Sequence, residues 1–234
     1  MIPQLKHKLS SLKEKNFNAW DSNTEIQPLL ANYAKGVDSI IIELWRNYNI
    51  EGPCLIAVGG YGRSDLAPYS DIDLLILLPD EFKSTIKEQI SVFISSLWDI
   101  GLEAGQSVRT ISECIDLAKK DSSVSTNLLD ARFLVGEKDL FSLLKKRRQE
   151  SIDSLSYSTS KLLELKKRHA RFQDTPYSLE PNIKESPGGL RDVQTIKWIC
   201  AQYKYASTSS AISQSELLTP EETKQLNSHE KNLK

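Results

Sequence analysis

The sequence predicts an α+β protein, with short strands set among helices and then a region that is helical almost throughout. Three observations carry this. Two brief apolar runs, Cys54-Leu-Ile-Ala-Val58 and Ile72-x-Leu-Leu-Ile-Leu-Leu78, are too short for buried helices and branched enough for buried strands. The stretches on either side repeat their apolar residues at helical spacing. Past Thr110 the helical pattern is nearly continuous.

Taken in order, residues 1–24 read as a polar leader with scattered apolar positions, frayed or only weakly docked. Ile26, Leu29, Leu30, Tyr33, Val37, Ile40, Ile41 and Leu44 then mark an amphipathic helix that stops before Gly52-Pro53. The first strand leads into a glycine-rich loop, Gly59-Gly-Tyr-Gly-Arg-Ser-Asp-Leu-Ala-Pro-Tyr-Ser70, and the second strand follows as Asp71–Leu78. Phe82, Ile86, Ile90, Phe93, Ile94 and Leu97 define another helix, ended near Gly101. Residues 102–109 alternate loosely, with Leu102, Ala104 and Val108 on one face and Glu103, Gly105, Ser107 and Arg109 on the other, as in a half-exposed strand. Thr110-x-x-Glu113 is a capping box that opens a helix at Ile111. Helices are expected over 122–135, 138–149 and 151–173, and again after a loop holding Pro176, Pro181 and Pro187. Thr219-Pro220-Glu-Glu222 starts a last helix, in which only Leu226 and Leu233 are apolar. The chain thus divides into a leader (1–24), a first domain (25–136) and a helical extension (137–234).

Composition narrows the function classes without naming one. With 30 basic and 31 acidic residues among 234, the net charge of −1 gives no global reason to expect nucleic-acid or membrane binding. No apolar run approaches the roughly 20 residues of a membrane span, and the polar N-terminus does not look like a secretion signal. Cys54, Cys114 and Cys200, 60 and 86 residues apart, fit neither a disulfide framework nor a zinc pattern, so a reduced, cytoplasmic setting is expected. His7, His169 and His229 are scattered, with none in a His-x-Glu or His-Asp arrangement. Trp45, Trp98 and Trp198 fall in apolar helical patterns and read as packing residues.

The chemistry is concentrated at the second strand. Side chains two apart on a strand share a face at roughly 6–7 Å, so Asp71 and Asp73 project together while Ile72, Leu74 and Ile76 face a core. Two carboxylates this close repel, and a divalent cation removes the conflict. Mg²⁺ bound by one or two carboxylates plus substrate phosphates is a common nucleotide arrangement, and a metal pair can serve an in-line phosphoryl displacement. Gly59 and Gly60 let backbone amides approach phosphate oxygens, and Arg63 can add a charged contact. Gly-Gly alone reads most simply as a turn. Followed by Ser-Asp-x-Asp on an apolar strand, it reads as a phosphate site.

A strand, Gly-Gly and then Asp-x-Asp resembles the polymerase-β-type nucleotidyltransferases, which implies a small mixed sheet with flanking helices. The wider string GGYGRSDLAPYSDIDLLIL is similar to the N-terminal catalytic region of bacterial PII uridylyltransferases/uridylyl-removing enzymes. So are WDIGLEAGQSVRTISEC (98–114), STNLLDARFLVG (125–136) and LEPNIKESPGGLRDVQTIKW (179–198), giving a resemblance from about residue 25 to about residue 227. It implies transfer of UMP from UTP to a tyrosine hydroxyl of the signalling protein PII, with Mg²⁺ held by Asp71 and Asp73. Gly59 and Gly60 would hold the triphosphate, with Arg63 and Ser70 nearby. The superfamily's third carboxylate, which helps activate the attacking hydroxyl, would be Glu103, the acid on the polar face of residues 102–109. Ser64 and Gln106 depart from the family, which tends to have glycine and histidine there.

Ser186-Pro-Gly-Gly-Leu-Arg-Asp192 opens a helix and is either a second phosphate loop or a plain loop-to-helix turn; Lys184, Arg191 and Asp192 have no assigned role. Residues 145–171 hold nine Lys or Arg against three acids, most simply a solvated helix face. Family members continue into a His-Asp hydrolase domain and two glutamine-sensing ACT domains. The sequence has no counterpart of these, so the resemblance implies a truncated form, either active in transfer or a remnant that binds nucleotide or PII without turnover.

Overall fold

The computed structural model describes residues 1–20, 25–172, 175, 182–205 and 217–234. Its residues group into two units, one formed by 1–117 and 130–147, the other by 118–129 and 148–234. Residues 118–129 group with the second unit.

The expected α+β arrangement is the one the first unit adopts. Strands β1 (Cys54–Ala57), β2 (Ile72–Leu78), β3 (Ala104–Thr110) and β4 (Arg132–Gly136) form one mixed sheet in the order β3-β2-β1-β4. β1 runs antiparallel to both β2 and β4, and β3 lies parallel to β2. Helices α1 (Ile2–Asn18) and α2 (Ile26–Asn47) precede β1, a single turn α3 (Gly59–Gly62) follows it, and α4 (Ser84–Asp99) joins β2 to β3. One apolar cluster joins the periodic residues of α2 (Val37, Ile41, Leu44) to Ile72, Leu74 and Ile76 of β2 and to Phe93 and Leu97 of α4. Trp45 meets Phe93 edge to face at 5.1 Å, a geometry that adds to simple burial.

Three readings change. The polar leader is helical rather than frayed, because Leu5 and Leu9, one turn apart, are both buried in the core cluster. Residues 132–135, expected as helix, fall in β4, whose partners Cys54–Ala57 lie 75 to 82 residues earlier, beyond what local periodicity reports. Trp98 is 53 % exposed, since Leu97 takes the core position and the next residue is turned away from it. The capping box at Thr110 is present, with Glu113 accepting from the Thr110 amide at 2.8 Å.

Helices α5 (Ile111–Lys120) and α7 (Lys138–Ser151) each run across a boundary between the units. The second unit contains α6 (Ser122–Leu129), α8 (Ser154–Arg171), α9 (Leu190–Tyr205) and α10 (Pro220–Leu233). Its interior is built with polar groups. Arg148 donates to the Ser125 carbonyl and to Gln202 (2.8 Å), and Tyr157 shares a hydrogen bond with Thr126. Lys161 lies over the Trp198 ring while paired to Glu164. The capping box at Thr219 is formed, and α10 has no buried residue, as its two apolar positions suggested. Pro176 and Pro181 lie outside the described residues.

Candidate active site

The site is assembled where β1 ends. Val58 is extended and donates its amide to the Asp73 carbonyl at 3.0 Å, so the sheet pairing continues to the edge of the glycine turn. Gly59 then takes φ +59, a left-handed conformation that glycine adopts without strain. Gly62, Arg63 and Asp65 donate back to the carbonyls of Val58, Gly59 and Gly60 at 2.9, 3.2 and 2.9 Å. The amides of Gly59, Gly60 and Tyr61 come before the first of these bonds. Gly62 is required for a different reason: a Cβ there would collide with the Asp130 carbonyl and press on that of Ala57. Ser64, where the family tends to have glycine, carries φ +61.

The carboxylates are positioned by strand register. Ile72 pairs with Ala104 and Asp73 with Gly105, and the Ile72 amide donates to the Glu103 carbonyl at 2.9 Å. By alternation Asp71, Asp73, Glu103 and Gly105 share one face, with Ile72, Leu74 and Ala104 buried on the other. Gly105 leaves the room that Asp73 occupies, since a Cβ at 105 would lie 2.9 Å from Asp73 Oδ1. Asp71 and Glu103 are exposed and Asp73 is half-buried. Burial, and then the neighbouring Asp71 charge, hold the Asp73 acid above its ordinary value.

A cation suits this pair, because the two charges repel and neither carboxylate takes part in a hydrogen bond or ion pair among the described residues. The residues that could hold it are Asp71 and Asp73. Among the described residues no group of three or more His, Cys, Asp or Glu side chains is gathered around a metal position, and Glu103 shares the face of the pair.

The remaining expected site residues are placed as follows. Gly59 is buried and Gly60 partly exposed at the turn. Arg63 is tied to two acids, Asp130 at 2.5 Å and Asp65 at 3.4 Å, with about a quarter of its side chain exposed. Ser70 is exposed, and it lines a small open cleft together with Lys13, Tyr33, Tyr69 and Glu103. Sequence reasoning missed a second group behind the turn. Arg132 pairs with Asp38 at 2.6 Å and donates to the Tyr61 and Gly62 carbonyls, and the Tyr61 hydroxyl also donates to Asp38. Arg132 stood inside the matching segment 125–136, which was the one available signal.

In the second unit, Asp192 of the SPGGLRD segment accepts from the Gly188 amide (2.8 Å), Arg168 and His169 Nε2 (2.9 Å). A His-Asp contact therefore exists that spacing along the chain did not reveal. Burial alone would raise the Asp192 acid, but the bonds from His169, the Gly188 amide and Arg168 outweigh it and hold it low. The segment is well explained as a capped loop-to-helix turn.

Comparison with known proteins adds to this geometry. A nucleotidyltransferase domain family matches residues 43–134, and the family described as GlnD PII-uridylyltransferase matches residues 157–234. The chain is 41 % identical, over its whole length, to a bifunctional uridylyltransferase/uridylyl-removing enzyme of Cupriavidus metallidurans, covering 27 % of that protein. Counterparts in Burkholderia mallei and Burkholderia pseudomallei are 44 % identical over 91 % of this chain and 25 % of their own length. The chain spans about a quarter of the length of these curated relatives.

Proposed function

We propose that this chain, which belongs to the PII-uridylyltransferase family and carries a nucleotidyltransferase domain, moves a uridylyl group from UTP onto a tyrosine hydroxyl of a PII-type protein. The carrying observation is the alignment of Asp71 and Asp73 on one sheet face beside the glycine turn, with the Asp73 acid raised by burial and then by the Asp71 charge. In this reading residues 25–136 hold the transfer chemistry and 137–234 are its helical extension. Asp71 and Asp73 hold Mg²⁺, which when bound offsets their charge and that of the triphosphate. The Gly59 and Gly60 amides and Arg63 hold the phosphates, and Ser70 borders the nucleotide. Glu103 takes the proton of the acceptor hydroxyl as its oxygen bonds to the α-phosphorus. The bond from that phosphorus to its bridging oxygen breaks, and pyrophosphate leaves.

Partners in this reading are UTP and PII, with no nucleic acid or membrane. No helix among the described residues is long and apolar enough to cross a membrane, and the three buried thiols suit a reducing cytoplasm. A second reading is binding of nucleotide or PII without turnover.

The test is purified protein with labelled UTP, Mg²⁺ and PII. Label transfer is expected, reduced at least about 100-fold by Asp71→Asn or Asp73→Asn. UTP binding without any transfer would establish the second reading in its place.

A further inference from the structure

The site leaves Asp38, Tyr61 and Arg132 without a task, although together they form a connected hydrogen-bonded network in the first unit. Asp38 comes from α2, Arg132 opens β4, and 94 residues separate them. Arg132 grips Asp38 with two prongs, Nη1 to Oδ2 at 2.6 Å and Nη2 to Oδ1 at 3.1 Å. The same guanidinium donates from Nη2 to the Tyr61 carbonyl (3.1 Å) and from Nε to the Gly62 carbonyl (3.2 Å). It also lies 5.3 Å from the centre of the Tyr61 ring, whose hydroxyl donates to Asp38 at 2.5 Å. Burial pushes the Tyr61 phenol well up, so it stays a neutral donor at ordinary pH.

This network touches no carboxylate of the site. What it touches is the backbone of α3, and α3 needs outside support. A four-residue helix with three glycines sits below any length that is stable alone, and glycine is among the residues that disfavour helix most. Arg132 supplies that support by fixing carbonyls at the end of the turn and leaving the amides at its start unobstructed.

We propose that Arg132, oriented by Asp38, is a positioning residue that locks the Gly59–Gly62 turn in the shape that receives a triphosphate. The assignment rests on the reading of this turn as the phosphate cradle. Lysine cannot replace the arginine, because one ammonium cannot span two carboxylate oxygens and two carbonyls in a plane.

The test uses the full chain in two arms. In the first, without ligand, amide hydrogen exchange is followed in wild type, Arg132→Lys and the milder Asp38→Asn. Exchange at Gly62, Arg63 and Asp65 should quicken about tenfold or more in Arg132→Lys and less in Asp38→Asn, with Leu75 and Ile76 unchanged. In the second, affinity for Mg²⁺-UTP should weaken about tenfold or more in Arg132→Lys, with a smaller loss in Asp38→Asn. Unchanged exchange at the turn, or equal quickening at Leu75 and Ile76 in both variants, overturns the proposal. If wild type binds no UTP, the cradle reading fails, and the exchange arm still decides whether Arg132 locks the turn.

Discussion

Asp73 is the residue at which fold and chemistry conflict most openly. Its acid is held above the ordinary 3.8 by burial and by Asp71. The folded chain therefore keeps a proton at this site that the unfolded chain has already released. The sign follows from linkage: this group favours the fold most at low pH, and its contribution falls as pH rises through the ordinary value toward the raised one. At neutral pH the charged Asp73 opposes folding, so Asp73→Asn should melt higher than wild type in metal-free buffer. Mg²⁺ should raise the wild-type melting temperature and narrow that gap. A lower melting temperature for Asp73→Asn, measured calorimetrically at pH 7 with chelator, would show that the carboxylate is not under repulsion. The Asp pair was legible in sequence because strand alternation and a preceding Gly-Gly are local patterns. The partners of Arg63 and Arg132 were not, since Asp130 and Asp38 lie 67 and 94 residues away and charge pairing leaves no periodic trace. Ser64 was legible only as a departure from the family, and its φ of +61 supplies the physical reason that glycine suits the position.

Among elements, the parallel pair β2–β3 does the most to define the site. Register places Gly105 beside Asp73 and Glu103 beside Asp71. Alternation along 102–109 foretold Glu103 and Gly105 on the exposed face, but not that β3 lies next to β2 rather than next to another strand. Gly105→Ala isolates the contribution of that neighbour. The added methyl meets Asp73 Oδ1 at 2.9 Å, so the carboxylate must turn away from its partner. Transfer should fall about tenfold or more for each 1.4 kcal/mol of lost alignment, while circular dichroism and the melting temperature stay near wild type, because residue 105 is on the solvent side. Undiminished transfer in Gly105→Ala would mean that Asp73 does not need its present rotamer. β4 was misread for the opposite reason: Leu128, Leu129 and Phe133 continue a helical rhythm, and only pairing with β1 turns 132–136 into a strand.

At the scale of the molecule, the two units have unlike interiors. The core cluster lies within the first unit. Among the described residues, every buried polar or charged side chain except Ser96 belongs to the second. Cysteines report on each: Cys54 and Cys114 are buried in the first unit and Cys200 in the second, with burial pushing the first two thiols up to about 12 and about 11 and raising the third. Alkylation in increasing urea, read by mass spectrometry, should modify Cys200 at lower denaturant than Cys54 and Cys114, because less apolar surface protects it. Simultaneous modification of all three would mean that the units unfold as one. The same contrast has a thermal side. Hydration of apolar groups dominates the heat capacity of unfolding, whereas newly exposed polar groups reduce it. The first unit is therefore expected to have the more sharply curved stability profile, weakening on cooling. The second, held by Arg148, Lys161 and Gln202 as well as by Trp198, is expected to have a flatter one, so that calorimetry on cooling should show it losing less stability than the first.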